Sequence, residues 1–475
     1  MDSTVQGQVA PPNLRNIAQH GGTYQQVLDC GTYMLAVRTG GVEVLLQSSG
    51  QWKSVSHLPL SSIPVLYENE HGVFARFKSR LLKIGIDDAY RLHVLSDEIL
   101  PTNFTDSRPP AKTIHTQGAL FSISDPNKGL RIKQDDGKES TCMFSGYSRP
   151  SSLALSRGEN ELLVADVGAI HSVNVANEPP TVSDRMCLPG WPKDIACDEV
   201  GVYCANVLGV RWYRETKIYP YLEEIDKLSH LHFRMAKVIA DKGRIVACDE
   251  VRGLHFFAAQ DGRLQARGGL MLDGGAWDCN FFNGQLLVAT GDEGWITAPF
   301  EWETLKVGQS IRHRGTGRVH SVVAWPAANR YVILSDKGIR MRPMKPCSES
   351  DSCVEDFPDI SSWGAVAIGR YLVVAAARKG LLLLIFDESL HVTVCSQVET
   401  VEARDVCFDG NFIWLADGRG GVRCYTLDTQ TSRLNFLGVF PVAGFCRGVV
   451  STVSRLYVGA GDGGLVVLTK KKGLS

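Results

Sequence analysis

The chain has 475 residues, 44 % of them hydrophobic and 21 % charged, a balance that excludes wholesale disorder. Lys+Arg total 50 against 51 Asp+Glu, a formal net charge of -1. That balance gives no electrostatic drive for coating nucleic acid or for polybasic membrane binding.

Residues 1–19 read as an N-terminal tail, without the basic and apolar regions of a secretory signal and with a poor composition for a mitochondrial presequence. The longest apolar run, 380–386, is far short of the roughly 18 residues that span a bilayer. These features point to an intracellular, cytoplasmic chain that engages no membrane. The 13 cysteines are scattered without a CxxC pair, which disfavours zinc; Cys197, Cys204, Cys248, Cys407 and Cys424 lie in apolar runs and read as buried small hydrophobes. Cys347 and Cys353 read as reduced loop thiols, and the sequon at Asn103 as chance.

From residue 20 onward one pattern repeats. Its clearest copy is 404–425: a short apolar strand, a turn at Asp409-Gly410, a second strand ending at Ala416, a turn through Asp417 to Gly421, and a third strand. A fourth strand follows over 432–440. In chain order, weak copies anchor on Val27, Val65, Thr113 and Ala154. Others follow on Ile195, Val238, Cys279, Val322 (again weak), Ala365, Val406 and Val449, with steps of 41 or 43 residues from Thr113 onward. Units of this length holding four short antiparallel strands are β-propeller blades. Tyr371–Ala377, apolar on both faces, suits a strand packed between neighbouring sheets. One segment departs from the pattern: Leu222, Ile225 and Leu228 have helical spacing, so 221–231 reads as a short rim helix or insertion.

The expected fold is therefore all-β, with about eleven four-stranded blades. Single propellers usually close with four to eight blades, so two fused propellers are expected. The irregular segment 213–234 is the natural seam, which divides the chain into 20–234 with about five blades and 235–475 with about six. One large ring, or another split, stays open.

The units around Lys193-Asp194-Ile195 and Arg404-Asp405-Val406, each with a Gly-Val-Arg-aromatic or Gly-Val-Arg-Cys third strand, resemble LVIVD-type propeller repeats. The Asp-Val-Ser-Asp-Pro tail of that repeat is missing, and so are the Gly-His and Trp-Asp signatures of true WD repeats, so the units are WD-like only in period. The resemblance implies a binding or scaffolding surface and no particular chemistry.

No Walker A, HExxH or GxSxG motif is present, and the glycines of 459–464 lie between strands, where they read as a hairpin turn. The acidic turns Asp249-Glu250, Asp292-Glu293, Asp336, Asp417 and Asp462 read as turn formers, each too poor in oxygens for calcium. The loop 312–318 reads as solvated, and the basic run from Lys470 is too short to fix a location. The start of the innermost strand is the best candidate site. Lys193, Lys237, Trp277, Asp278, His320, Trp363, Arg404, Asp405 and Arg447 fall at that level and are expected to ring a channel mouth. Cations among aromatics suit an anionic or planar guest. The competing expectation is a polar plug, with Arg404 and Arg447 paired to Asp405 and Asp278. No catalytic residue, metal ligand or cofactor is assigned. A non-enzymatic interaction or scaffolding module using the propeller faces is expected, with other proteins as partners and nucleic acid disfavoured. A lactonase-like metal-dependent hydrolase and a structural subunit of a viral or cytoskeletal assembly are the alternatives.

Overall fold

A computed structural model describes residues 13–20, 23–48, 51–60, 63–77, 80–99, 112–123, 129–142, 150–155, 161–166, 169–175, 181–187, 191–207, 209–217, 222–229, 233–314, 317–344, 355–388 and 391–471. Asn103, Cys347 and Cys353 lie outside the described residues. The described chain folds into eleven antiparallel sheets, numbered here in chain order: 24–59, 65–99, 113–142, 152–187, 192–229, 235–271, 278–313, 319–358, 364–398, 405–440 and 448–471. Each has four strands, except the seventh, whose outermost strand is split in two. In the eleventh, the fourth strand is Asn13–His20, paired with Leu465–Lys471 at the opposite end of the chain. The result is a propeller-like all-β repeat fold. The only helical turns among the described residues are Pro326–Ala328 and Gly461–Gly463, and no helix is long and apolar enough to cross a membrane.

Local chemistry explains why each unit forms the same sheet. Gly380 and Gly421 open the third strands of sheets 9 and 10 at φ +88 and +82. A Cβ there would lie 2.0 Å from the carbonyl oxygen of Val398 and 2.4 Å from that of Phe440, so glycine is required by both backbone and space. A β-bulge then interrupts the pairing of third and fourth strands, for example at Leu383/Leu384 and Cys424/Tyr425, and adds twist.

The apolar faces pack sheet on sheet. In the N-terminal part, Val37 and Val44 of sheet 1 meet Leu66 and Ala75 of sheet 2. Phe121 of sheet 3 meets Val164 of sheet 4, whose Leu163 and Ile170 turn to Tyr24 and Leu45 of sheet 1. Sheets 5 to 11 each share a core cluster with the next. Sheet 11 packs back on sheet 5, where Tyr457, Leu465 and Val467 meet Ile195, Val202 and Tyr213. This cyclic order defines a central axis for the seven C-terminal sheets.

The segment 221–231, read as a rim helix or insertion, is instead strand over Leu222–Ser229. Leu222–Ser229 is the outermost strand of sheet 5 and pairs with Gly209–Glu215. Sheet 5 shares its apolar clusters with sheets 6 and 11, so Lys193 stands in the same cycle as Lys237 and Arg447. Leu287, Val373 and Leu415 are fully buried in the clusters between sheets.

Candidate functional site

A strand alternates its side chains between two faces, so consecutive residues ordinarily point apart. At the start of the innermost strand this rule is broken in the same way in all seven C-terminal sheets. In sheets 5, 6 and 8 the register shifts between Pro192/Asp194, Met235/Lys237 and Val319/Ser321. In sheets 7, 9, 10 and 11 the N–H groups of Trp277, Trp363, Arg404 and Arg447 donate to the carbonyls of Ala289, Ala375, Ala416 and Gly459. Those same residues stand opposite Asp278, Gly364, Asp405 and Gly448. Two residues face one in each case, a bulge that re-aims a side chain. The bulges build two layers around the axis: Lys193, Ala236, Trp277, His320, Trp363, Arg404 and Arg447 above, and Asp194, Lys237, Asp278, Ser321, Gly364, Asp405 and Gly448 below.

The upper layer is an arc of planar groups. Arg318 lies 5.3 Å over Trp277, whose ring is 6.2 Å from His320. His320 stacks on Trp363 at 3.8 Å and 5°. Arg404 sits 4.1 Å over Trp363 and 5.2 Å over Phe445, and Arg447 sits 5.1 Å over Phe445. Such cation–π contacts hold guanidinium groups in place while leaving N–H donors at their edges. His320 Nδ1 lies 2.9 Å from the Ser362 carbonyl and donates to it, and burial lowers its pKa, so the ring is neutral. Lys193 pairs with Glu250 at 2.6 Å, and burial lowers its pKa against the pull of that partner. Arg404 pairs with Glu402. Arg447 is exposed and makes no ion pair among the described residues; burial of part of its side chain, then the charge of Arg404, lower its pKa.

The lower layer closes the axis. Lys237 Nζ lies 3.3 Å from Asp194 Oδ1 on the adjacent sheet and 3.9 Å from Asp405 Oδ1, three sheets away round the cycle. The other oxygens of these aspartates accept the N–H groups of Val238 and Val449 at 2.9 and 3.0 Å. Glycine at 448 and 364 makes room for them, since a Cβ at either would lie 2.9 Å from Asp194 Oδ1 or Asp405 Oδ1. Asp278 Oδ2 accepts from Asn280 at 3.2 Å, and the nearby Ser321 hydroxyl and Cys279 N–H also favour its charged form, though its Oδ1 is buried. Burial pushes Asp194 and Asp278 up to about 6, with Lys237 opposing the rise. Burial also works against the charge of Lys237, but the three carboxylates outweigh it and hold its pKa well above the usual lysine range.

All nine sequence-selected residues therefore converge on one axis. The expected pairing of Arg404 and Arg447 with Asp405 and Asp278 is corrected: the plug is made by Lys237, whose side chain is long enough to cross the axis. The acidic turns do more than form turns. Asp417 accepts the N–H groups of Val401 and Glu402 and an Arg423 N–H, and so positions the partner of Arg404. Asp462 accepts the Phe445 N–H at 3.0 Å, and Asp292 holds Arg318, which the sequence reading left in a solvated loop. Phe445 and Glu402 were not found from sequence, the signal being their position two residues before a rim cation, and Glu250 was read only as part of an acidic turn. Lys470 reaches Asp409 at 2.7 Å and the Thr452 carbonyl at 2.6 Å.

No family model matches the chain, and no curated protein matches it. Among solved structures it is similar to the computationally designed protein Ika8, with 12% identity over 69% of this chain and 98% of that one and a TM-score of 0.44. It is also similar to PorZ, a bacterial surface component of the type-IX secretion system of Porphyromonas gingivalis, with 13% identity over 95% of this chain and 69% of that one and a TM-score of 0.45.

Proposed function

We propose that the chain is a non-enzymatic protein-interaction module of two propeller-like units, four blades over 24–187 and seven over 192–471 closed by the strand 13–20. The observation that carries this reading is the upper layer. An exposed Arg447, without an ion pair among the described residues, stands at the end of an arc of rigid planar groups, an arrangement suited to seating an acidic side chain of a partner. The WD-like period and the resemblance to LVIVD-type repeats support a binding surface, and ten free cysteines among the described residues suit a reducing cytoplasm. The hydrolase alternative is weakened because the three carboxylates that meet turn on the ammonium of Lys237, which takes the place that a metal ion would need.

The test is fluorescence anisotropy with labelled hexaglutamate at low salt. The protein is expected to bind, with affinity falling as salt screens the charges, and Arg404→Ala/Arg447→Ala is expected to lose binding while keeping its fold. Equal binding by protein and double variant, or no binding by either, would overturn the reading.

A further inference from the structure

The outermost strand of sheet 7 is split into Lys306–Val307 and Ile311–His313. Where the second piece begins, it and the end of the outermost strand of sheet 6, Arg263–Met271, border an open cavity of about 240 Å³. Pockets for drug-sized ligands hold roughly 300–1,000 Å³, so a guest here is small.

The floor of the cavity is apolar. Ile296 belongs to the core cluster that sheets 6 and 7 share, and Leu270 and Leu272 are only partly buried against it. Covering their open surface takes it out of water, which favours a guest with a carbon chain. The lip is polar and carries Asp273, Ser310 and Arg312. Arg312 is already engaged: it donates to Glu293 at 3.2 Å, and its guanidinium stands 4.0 Å from Asp273. The longer distance is beyond a hydrogen bond. The Asp273 carboxylate, 97% exposed, and the Ser310 hydroxyl therefore accept no hydrogen bond among the described residues. Asp273 and Glu293 against Arg312 leave an excess of one negative charge beside the cavity. The lip offers unused acceptors while its cation is taken.

We infer that this cavity binds a small aliphatic amine, its chain laid over Leu270, Leu272 and Ile296 and its ammonium donating to Asp273 and Ser310. An ammonium brings three donors and no acceptor, which answers a lip of unused acceptors. A carboxylate on the same chain would face Asp273 and Glu293 and would have to draw Arg312 from its partner, and a neutral alcohol gains nothing from the charge excess. The site shares no residue with the upper layer of the axis and does not rest on the partner-binding reading.

Isothermal titration with n-hexylamine at pH 7.5 tests this, with 1-hexanol and hexanoate as probes carrying the same chain on a neutral and an anionic head. Hexylamine is expected to bind saturably and at least roughly tenfold more tightly than either. Asp273→Asn is expected to bring hexylamine down to the level of hexanol, and Ser310→Phe, which fills the lip with a ring, to abolish binding, both with unchanged circular dichroism. Arg404→Ala/Arg447→Ala is expected to bind hexylamine as the protein does. Hexanol binding as tightly as hexylamine would mean a plain apolar cavity, and hexanoate doing so a site ruled by Arg312; either overturns the inference. So does the absence of saturable hexylamine binding, or binding that survives Asp273→Asn or Ser310→Phe unchanged or is lost with the two arginines.

Discussion

Replacing Asp278 by Asn should stabilise the protein at neutral pH, contrary to the usual effect of altering a buried polar residue. The folded state holds this carboxyl at about 6, against an ordinary 3.8. Because the folded state binds the proton more tightly than the unfolded chain, stability rises as pH falls through about 6 toward 4 and is lost as pH rises again. The gap between 3.8 and about 6 corresponds to about 3 kcal/mol of cost above pH 6, and its main cause is burial of the ionised group. Asn keeps an oxygen to accept from Asn280 and carries no charge, so most of that cost disappears. Urea unfolding of protein and variant at pH 7.5 and pH 5.0 is the assay. The variant should gain up to about 3 kcal/mol at the higher pH and about half of that at the lower. A variant less stable than the protein at pH 7.5, or a difference that is the same at both pH values, would refute the reasoning.

Lys237→Met should do the opposite, leaving three carboxylates together without a cation; its melting temperature should fall at pH 7.5 and recover in part near pH 5, where Asp194 and Asp278 take up protons. Leu287→Ala, Val373→Ala and Leu415→Ala each empty a fully buried site between sheets and should cost about 2–4 kcal/mol in chemical denaturation. Lys470→Ala removes the cation that bonds Asp409 and Ser451 beneath Trp414, and a loss of about 2–4 kcal/mol is expected by thermal or urea unfolding. Burial alone would raise Asp409, but Lys470 and the Trp414 N–H hold it far below the usual carboxylate range, so its contribution is present above about pH 4 and fades only in strong acid.

The sequence by itself determined that the chain is all-β and how many sheets it makes. Ten of the eleven sheets are local units whose strands follow one another, and Gly380 and Gly421 stand where no other residue fits. Period-two alternation failed where a bulge breaks it. Ile225 is the extra residue opposite Trp212 and Tyr213, which turns the spacing of Leu222, Ile225 and Leu228 into a false helical signal. The same device hid the two layers of the site, since nothing in Lys193-Asp194 or Arg404-Asp405 announces that both side chains turn to the axis. Partnerships across the axis were decided by tertiary structure alone. Sheet 5 joins sheet 11 through Tyr457 and Val202, residues far apart in the chain, and that junction puts Asp194, Lys237 and Asp405 within reach of one another. Arg404 and Asp405 carry opposite charges side by side, yet they do not pair: bulge geometry sends the guanidinium to Trp363 and Glu402, and leaves the carboxylate to a lysine that reaches it from three sheets away.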